Sequence, residues 1–296
     1  MRLAFAGTAP FAELVLGGLA AQGAAPVVVV TNPDRPRGRH GTPRPPAIAE
    51  LASALGVPVL QPEDVSAPES VAALRAHRPD VVVVCAYGRI VRAAVFDVLT
   101  TVVVHPSLLP RWRGAAPVER ALMAGETELG VCVIRMTAGV DEGPVADERT
   151  VHVPRHADAG RAYELLAPAA VDGVLATVRA IEAGTVTWTP QRGTPTVAAK
   201  IGPADKVVDW TRPAAAVVDQ VRALSPRIGA ETELSGRRVR LWRAAVTTGP
   251  AADTEDRLVL PAGEGWVELL EVQQDGRTRM SAAEYLRGAG RALRDR

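Results

Sequence analysis

The chain has 296 residues, of which 47% are apolar and 23% charged, and its formal net charge is +1. That length suits two domains and that apolar share suits a packed core. The near-zero charge excludes a general electrostatic pull toward nucleic acid or membrane, so a nucleic-acid partner would have to meet a local patch. Two isolated cysteines, Cys85 and Cys132, sit inside apolar runs and make neither a disulfide framework nor a zinc spacing. No apolar run approaches the roughly 20 residues of a membrane helix, and the start MRLAFAGTAPFA is interrupted too soon for a signal peptide. A cytoplasmic protein is expected.

In chain order, RLAFA (2–6) predicts a strand and FAELVLGGLAAQG (11–23) a helix. VVVVT (27–31) predicts a strand, PAIAELASALG (46–56) a helix and VPVL (57–60) a strand. PESVAALRAH (68–77) predicts a helix before the strands VVVVC (81–85) and VVVH (102–105). PVERALMAG (117–125) predicts a helix, VCVIRM (131–136) a strand, and residues 160–184 a long closing helix. Continuous β-branched strands separated by helices predict a parallel sheet covered on both faces, a Rossmann-like, doubly wound α/β domain over 1–184.

The texture then changes. Residues 185–203, TVTWTPQRGTPTVAAKIGP, combine prolines, glycines and threonines and read as a linker. From 204 to 296 one helix (213–224) is followed by short strands between turns such as SGR and QDGR. This predicts a smaller β-barrel of about five strands with an added helix, of OB-like type.

Chemistry is expected at the carboxyl ends of the strands. The first ends in AGTAP, which lacks the later glycines of a dinucleotide fingerprint, so a nicotinamide cofactor is not expected. The strand at 102–105 ends in His105. After 131–136 comes TAGVDEGPV, with Asp141 between two glycines. A carboxylate beside an imidazole orients it and favours its charged form, and such a pair can hydrogen-bond a developing oxyanion or move a proton. Ser107, two residues after His105, lacks the flanking glycines of a nucleophile elbow and reads as a loop hydroxyl.

The eleven-residue run SLLPRWRGAAP (107–117), following His105, closely resembles the signature of the methionyl-tRNA formyltransferase family. Further pieces match in order: FAGTAPFA (5–12), VVTNPDRPRGR (29–39), VCAYG (84–88), GVDEGPV (139–145), AAKI (198–201), VDW (208–210) and VRALSP (221–226). The resemblance spans nearly the whole chain. It implies transfer of a formyl group from 10-formyltetrahydrofolate to the amino group of initiator methionyl-tRNA, without a metal. It implies a folate site beside Ser107, Leu108, Leu109 and Pro110, with catalytic roles for His105 and Asp141. It implies a domain at 204–296 that contacts tRNA, in a protein expected to act as a monomer.

The sequence departs from the family at one catalytic position. The family asparagine two residues before the histidine is here Val103, which offers no hydrogen bond to an oxyanion. Val197 stands where the family often has tyrosine. The loop DRPRGRHGTPR (34–44) carries Arg35, Arg37, Arg39 and Arg44. In the family the corresponding loop closes on the acceptor stem, and Arg39 matches its key arginine. Arg111 and Arg113 flank Trp112, an arrangement suited to stacking on an unpaired base with arginines on phosphates, and Arg37, Arg39 and Arg111 are the expected tRNA contacts. Arg238 and Arg240 share a strand face in the second domain. Two other readings stay open: a catalytically silent homologue that binds folate or tRNA, which Val103 favours, and a sugar-amine N-formyltransferase on the same catalytic domain.

Overall fold

The computed structural model describes residues 1–36, 42–249, 256–288 and 290. The chain forms two compact units that interleave along the sequence. One comprises Met1–Ala115, Glu128–Val151 and Tyr163–Ala198; the other comprises Ala116–Thr127, His152–Ala162 and the chain from Ala199 onward.

The first unit is built on a seven-stranded sheet. Its strands are β1 (Leu3–Gly7), β2 (Val28–Val30), β3 (Val59–Leu60), β4 (Val81–Cys85), β5 (Thr100–His105), β6 (Glu128–Arg135) and β7 (Val145–His152). They lie in the order β7-β6-β5-β4-β1-β2-β3. The run from β3 to β5 is parallel. Every residue of β1 and β4 is buried, which is why these segments are unbroken apolar runs rather than alternating ones. Helices α1 (Pro10–Ala21), α2 (Ala47–Ala54) and α3 (Pro68–Ala76) connect the parallel strands. Proline opens α1 and α3, where its missing N–H costs no intrahelical bond. Gly7 is fixed by the close approach of strand to helix: a Cβ there would lie 2.5 Å from Ala12 Cβ and 2.9 Å from the Cys85 carbonyl oxygen.

The strand predicted at 131–136 corrects the expected parallel order. It begins earlier and runs antiparallel to β5, with Val102 opposite Arg135 and His105 opposite Cys132. The helix before it, α4 (Pro117–Met123), belongs to the second unit, so no helical crossover returns the chain to the other end of the sheet. The long helix α5 (Ala159–Glu182) spans segments assigned to both units, and its Tyr163 packs on Phe11 in the first.

Much of the segment predicted as a linker is ordered on the first unit. Thr189 exchanges two 2.8 Å backbone hydrogen bonds with Val145. Val197–Ala198 pairs in parallel with Arg113–Gly114. Such isolated bridges and two-residue ladders leave no periodicity for sequence inspection to find.

In the second unit β8 (Ala230–Leu234), β9 (Arg237–Thr247), β10 (Leu258–Pro261), β11 (Trp266–Gln274) and β12 (Met280–Ser281) form an antiparallel sheet. Its order is β8-β9-β11-β10, with β12 also on β11. Its core joins Val217, Val221 and Leu224 of α6 (Ala214–Leu224) to Leu241, Val267, Leu269 and Val272 of the sheet. A final helix absent from the sequence reading, α7 (Ala282–Arg287), buries Tyr285 and Leu286 in the same core. Its start was legible: Ser281 and Glu284 form a capping box, with each side chain on the other's backbone N–H.

Candidate active site

His105 is the last residue of β5 and its side chain is buried. Its Nε2 lies 2.9 Å from the Trp112 carbonyl oxygen. A carbonyl only accepts, so Nε2 carries a hydrogen. Nδ1 then faces Asp141, 3.5 Å from Oδ2.

Asp141 does not reach this position from an adjacent strand end, as the parallel reading expected. β6 ends at Arg135, level with Val102, and the chain returns toward His105 through the loop at 136–144. Gly143 makes the return: a Cβ there would overlap the Arg135 carbonyl oxygen at 1.8 Å. Asp141 itself adopts a left-handed backbone, φ 53°, which aspartate tolerates better than most side chains. Its Oδ2 also accepts a 2.8 Å bond from the Gly114 N–H, so one carboxylate oxygen serves the signature loop and the imidazole together.

The signature loop is held from several sides. Ser107 Oγ donates to the Arg111 carbonyl at 2.7 Å, and the Leu109 N–H points to Cys132 Sγ at 3.4 Å. Trp112, also left-handed at φ 63°, donates its N–H to Thr196 Oγ1 at 2.8 Å. Ser107, Leu109 and Pro110 are buried, whereas Leu108 is half-buried and packs over Gly130. Burial pushes the Cys132 thiol up to about 12 and raises Cys85 further, so both remain thiols, poor nucleophiles inside the sheet.

Gln191, inside the segment predicted as a linker, is central here. Its Nε2 donates to the carbonyls of Asp141 and Gly143, both at 2.8 Å. Its Oε1 accepts from Arg113 Nε at 3.1 Å and Nη2 at 2.8 Å. Arg113 also bonds Glu142 at 3.0 Å, so its guanidinium braces two loops. No spacing rule points to Gln191, because its partners are two backbone carbonyls of one distant loop and an arginine of another.

Val103 lies on the same face of β5 as His105 and packs against Leu109, Cys132 and Ile134. It brings a hydrocarbon surface where the family pattern has an amide. Arg111 lies with its guanidinium carbon 5.7 Å from the Trp112 ring centroid. Arg37 and Arg39 lie outside the described residues. At the base of their loop Arg35 and Arg44 are exposed and pair in a two-residue antiparallel ladder. The preceding turn is anchored by Arg89 Nε on Asn32 Oδ1 at 2.5 Å and by Gln61 Nε2 on Asp34 Oδ1 at 2.7 Å. In the second unit Arg240 faces Glu231 at 3.6 Å and Asp275 at 3.9 Å, so that arginine stripe is partly neutralised.

Among the described residues no cluster of three or more His, Cys, Asp and Glu could hold a metal, and no helix is long and apolar enough to cross a membrane. The formyl transferase family profile matches residues 1–178, and the profile of the formyl transferase C-terminal domain matches 200–290. The methionyl-tRNA formyltransferase of Symbiobacterium thermophilum is 40% identical over 98% of this chain and 93% of its own length. That of Phenylobacterium zucineum is 41% identical over 97% of each. The chain belongs to the methionyl-tRNA formyltransferase family. Among solved structures, HypX from Aquifex aeolicus in complex with tetrahydrofolic acid superposes with a TM-score of 0.70 at 19% identity, covering 97% of this chain and 47% of that one. The methionyl-tRNA formyltransferase from Clostridium thermocellum superposes with a TM-score of 0.61 at 15% identity, covering 84% and 95%. At these identities the two structures establish the fold.

Proposed function

We propose that this chain transfers a formyl group from 10-formyltetrahydrofolate to the amino group of initiator methionyl-tRNA. The observation that carries the proposal is the His105–Asp141 couple, 3.5 Å apart and braced within the signature loop. Formyl transfer to an amine needs a hydrogen-bond donor for the oxygen that gains charge and an acceptor for the amine proton. His105 and Asp141 supply both kinds of group. The Trp112 carbonyl fixes the imidazole through Nε2, and the Gly114 N–H holds the carboxylate beside Nδ1.

The residues present fit a folate donor, which supplies the activated formyl group. Large apolar side chains stay open on the loops that follow β4 and β6: Ile90 is 77% exposed and Val140 is 70% exposed. Such surfaces suit the flat face of a heteroaromatic ring. In the SLLP segment Ser107 has its hydroxyl engaged by Arg111, so the segment would hold the donor through main-chain groups and Leu108. For the acceptor, Arg37, Arg39 and Arg111 are the proposed tRNA contacts, with the second unit as additional surface for the tRNA.

Val103 favours one second reading, a homologue that binds but transfers little. Loss of a single oxyanion donor costs about 10²–10³ in rate. The test is single-turnover formylation of charged initiator tRNA by this chain and by Val103→Asn. The proposed function expects slow transfer by the chain and at least a tenfold rise in the variant. Absence of transfer by both forms, with tRNA binding intact, would establish the silent reading. Equal rates would show that another donor has taken the asparagine's place.

A further inference from the structure

We infer that Gln191 is a positioning residue for Asp141, and that the segment at 185–198 is thereby part of the catalytic apparatus and not a passive connection. The inference rests on the proposed function, since it concerns the couple to which that reading assigns the chemistry.

The argument is one of donors and acceptors. The loop at 136–144 exposes two carbonyls, those of Asp141 and Gly143, that can only accept. The signature loop sends out the guanidinium of Arg113, which can only donate. A primary amide is the one neutral side chain of this length with two N–H donors and a carbonyl acceptor at opposite edges of one planar group. Gln191 fills all of these positions: two 2.8 Å bonds to the loop carbonyls, and 2.8 and 3.1 Å bonds from Arg113. The amide orientation follows from the partners, because turning it over would set an N–H₂ against a guanidinium and an oxygen against two carbonyls.

The bonded carbonyl is that of Asp141 itself. This residue holds a left-handed backbone at φ 53° and aims Oδ2 at both the Gly114 N–H and His105 Nδ1. A left-handed non-glycine residue persists when its surroundings hold it. Gln191 fixes the peptide that follows Asp141, and so fixes the direction of the carboxylate. Its own backbone is fixed in turn by the Thr189–Val145 bridge and the Val197–Ala198 ladder on either side. The chain therefore places a rigid strut from a third segment behind the couple.

The test compares Gln191→Glu and Gln191→Met with the parent side chain, each in the chain as it stands and in the Val103→Asn background. Glutamate keeps a partner for Arg113 but has no donor for the two carbonyls; methionine keeps the length and neither bond. Positioning expects kcat for formyl transfer to fall at least tenfold in both variants, with KM for methionyl-tRNA and for the folate donor within about twofold. Equal losses in the two variants would assign the effect to the carbonyl bonds and not to Arg113. A second readout needs no transfer: the ¹⁵N signals of the His105 ring, assigned by their loss in His105→Gln, should shift in both variants as the carboxylate moves. Unchanged ring signals together with an unchanged kcat, or a loss confined to KM, would overturn the inference. Absence of transfer by the parent in both backgrounds would count against the proposed function alone, and the ring signals would then decide the role of Gln191.

Discussion

The two sheets handle polar side chains in opposite ways. In the first unit β1 and β4 bury every residue, so a functional group on a central strand emerges only where the strand stops. The proposed catalytic residue His105 is such a group, and three segments gather around it and its partners: 107–114, 136–144 and 189–198. In the second unit β9 mixes exposed and buried residues along its length and spreads charge over a face. One of those charges, Arg240, is met by Glu231 and Asp275, and Arg257 beside the strand is met by Glu268. A doubly covered sheet thus concentrates chemistry at one point. A half-covered sheet distributes it and offers surface.

The comparison predicts that disabling substitutions for chemistry fall in the first unit. His105→Ala and Asp141→Asn should each lower formyl transfer by about 10²-fold or more, within the range of general acid–base catalysis. The double variant should lose little beyond the worse single one, because groups that act as a unit are not additive. Single-turnover rates in the Val103→Asn background give the dynamic range. Losses that multiply would break the picture of one convergent point.

The second unit should instead respond in stability. Arg222 and Asp219 are both buried on α6, paired at 2.7 Å, and Arg222 also reaches the carbonyls of Ala157, Leu122 and Glu126 at 3.3–3.4 Å. Arg222→Leu leaves a buried carboxylate without its partner, which costs about 3–5 kcal/mol. Urea unfolding should show that loss, and Arg222→Leu combined with Asp219→Leu should recover part of it. Intact stability in Arg222→Leu would mean that the unit does not depend on this pair.

The smallest effect concerns pH. The Arg120 guanidinium, and then the Gly202 N–H, hold the Asp205 carboxyl below its usual range. A carboxyl depressed on folding stabilises the protein above its unfolded pKa of about 4, and that contribution is lost as pH falls through the folded value. Asp205→Asn should therefore lower stability at pH 7 by under about 1 kcal/mol, as partly exposed ion pairs do. It should also flatten the decline below about pH 4 in a series of thermal melts. A parallel decline in both proteins would assign the acid sensitivity to other carboxylates.

Local patterning by itself determined the helices that follow the parallel strands, the central β-branched strands and the break in texture after the long helix. These features rest on apolar periodicity and on proline at the helix starts, both of which act within a few residues. Sequence also singled out His105 and Asp141, because a strand end and a glycine-flanked turn leave marks. Only the tertiary structure decided the direction of β6, since an apolar run reads the same parallel or antiparallel and the choice hangs on where the connecting helix packs. It alone decided that Arg113 braces loops, that Val103 packs as hydrocarbon beside the site, and that Gln191 reaches the Asp141 loop. The roles of Arg113 and Gln191 depend on partners 29 to 78 residues away, two of them backbone carbonyls, a group that every residue contributes alike and that therefore carries no side-chain signature.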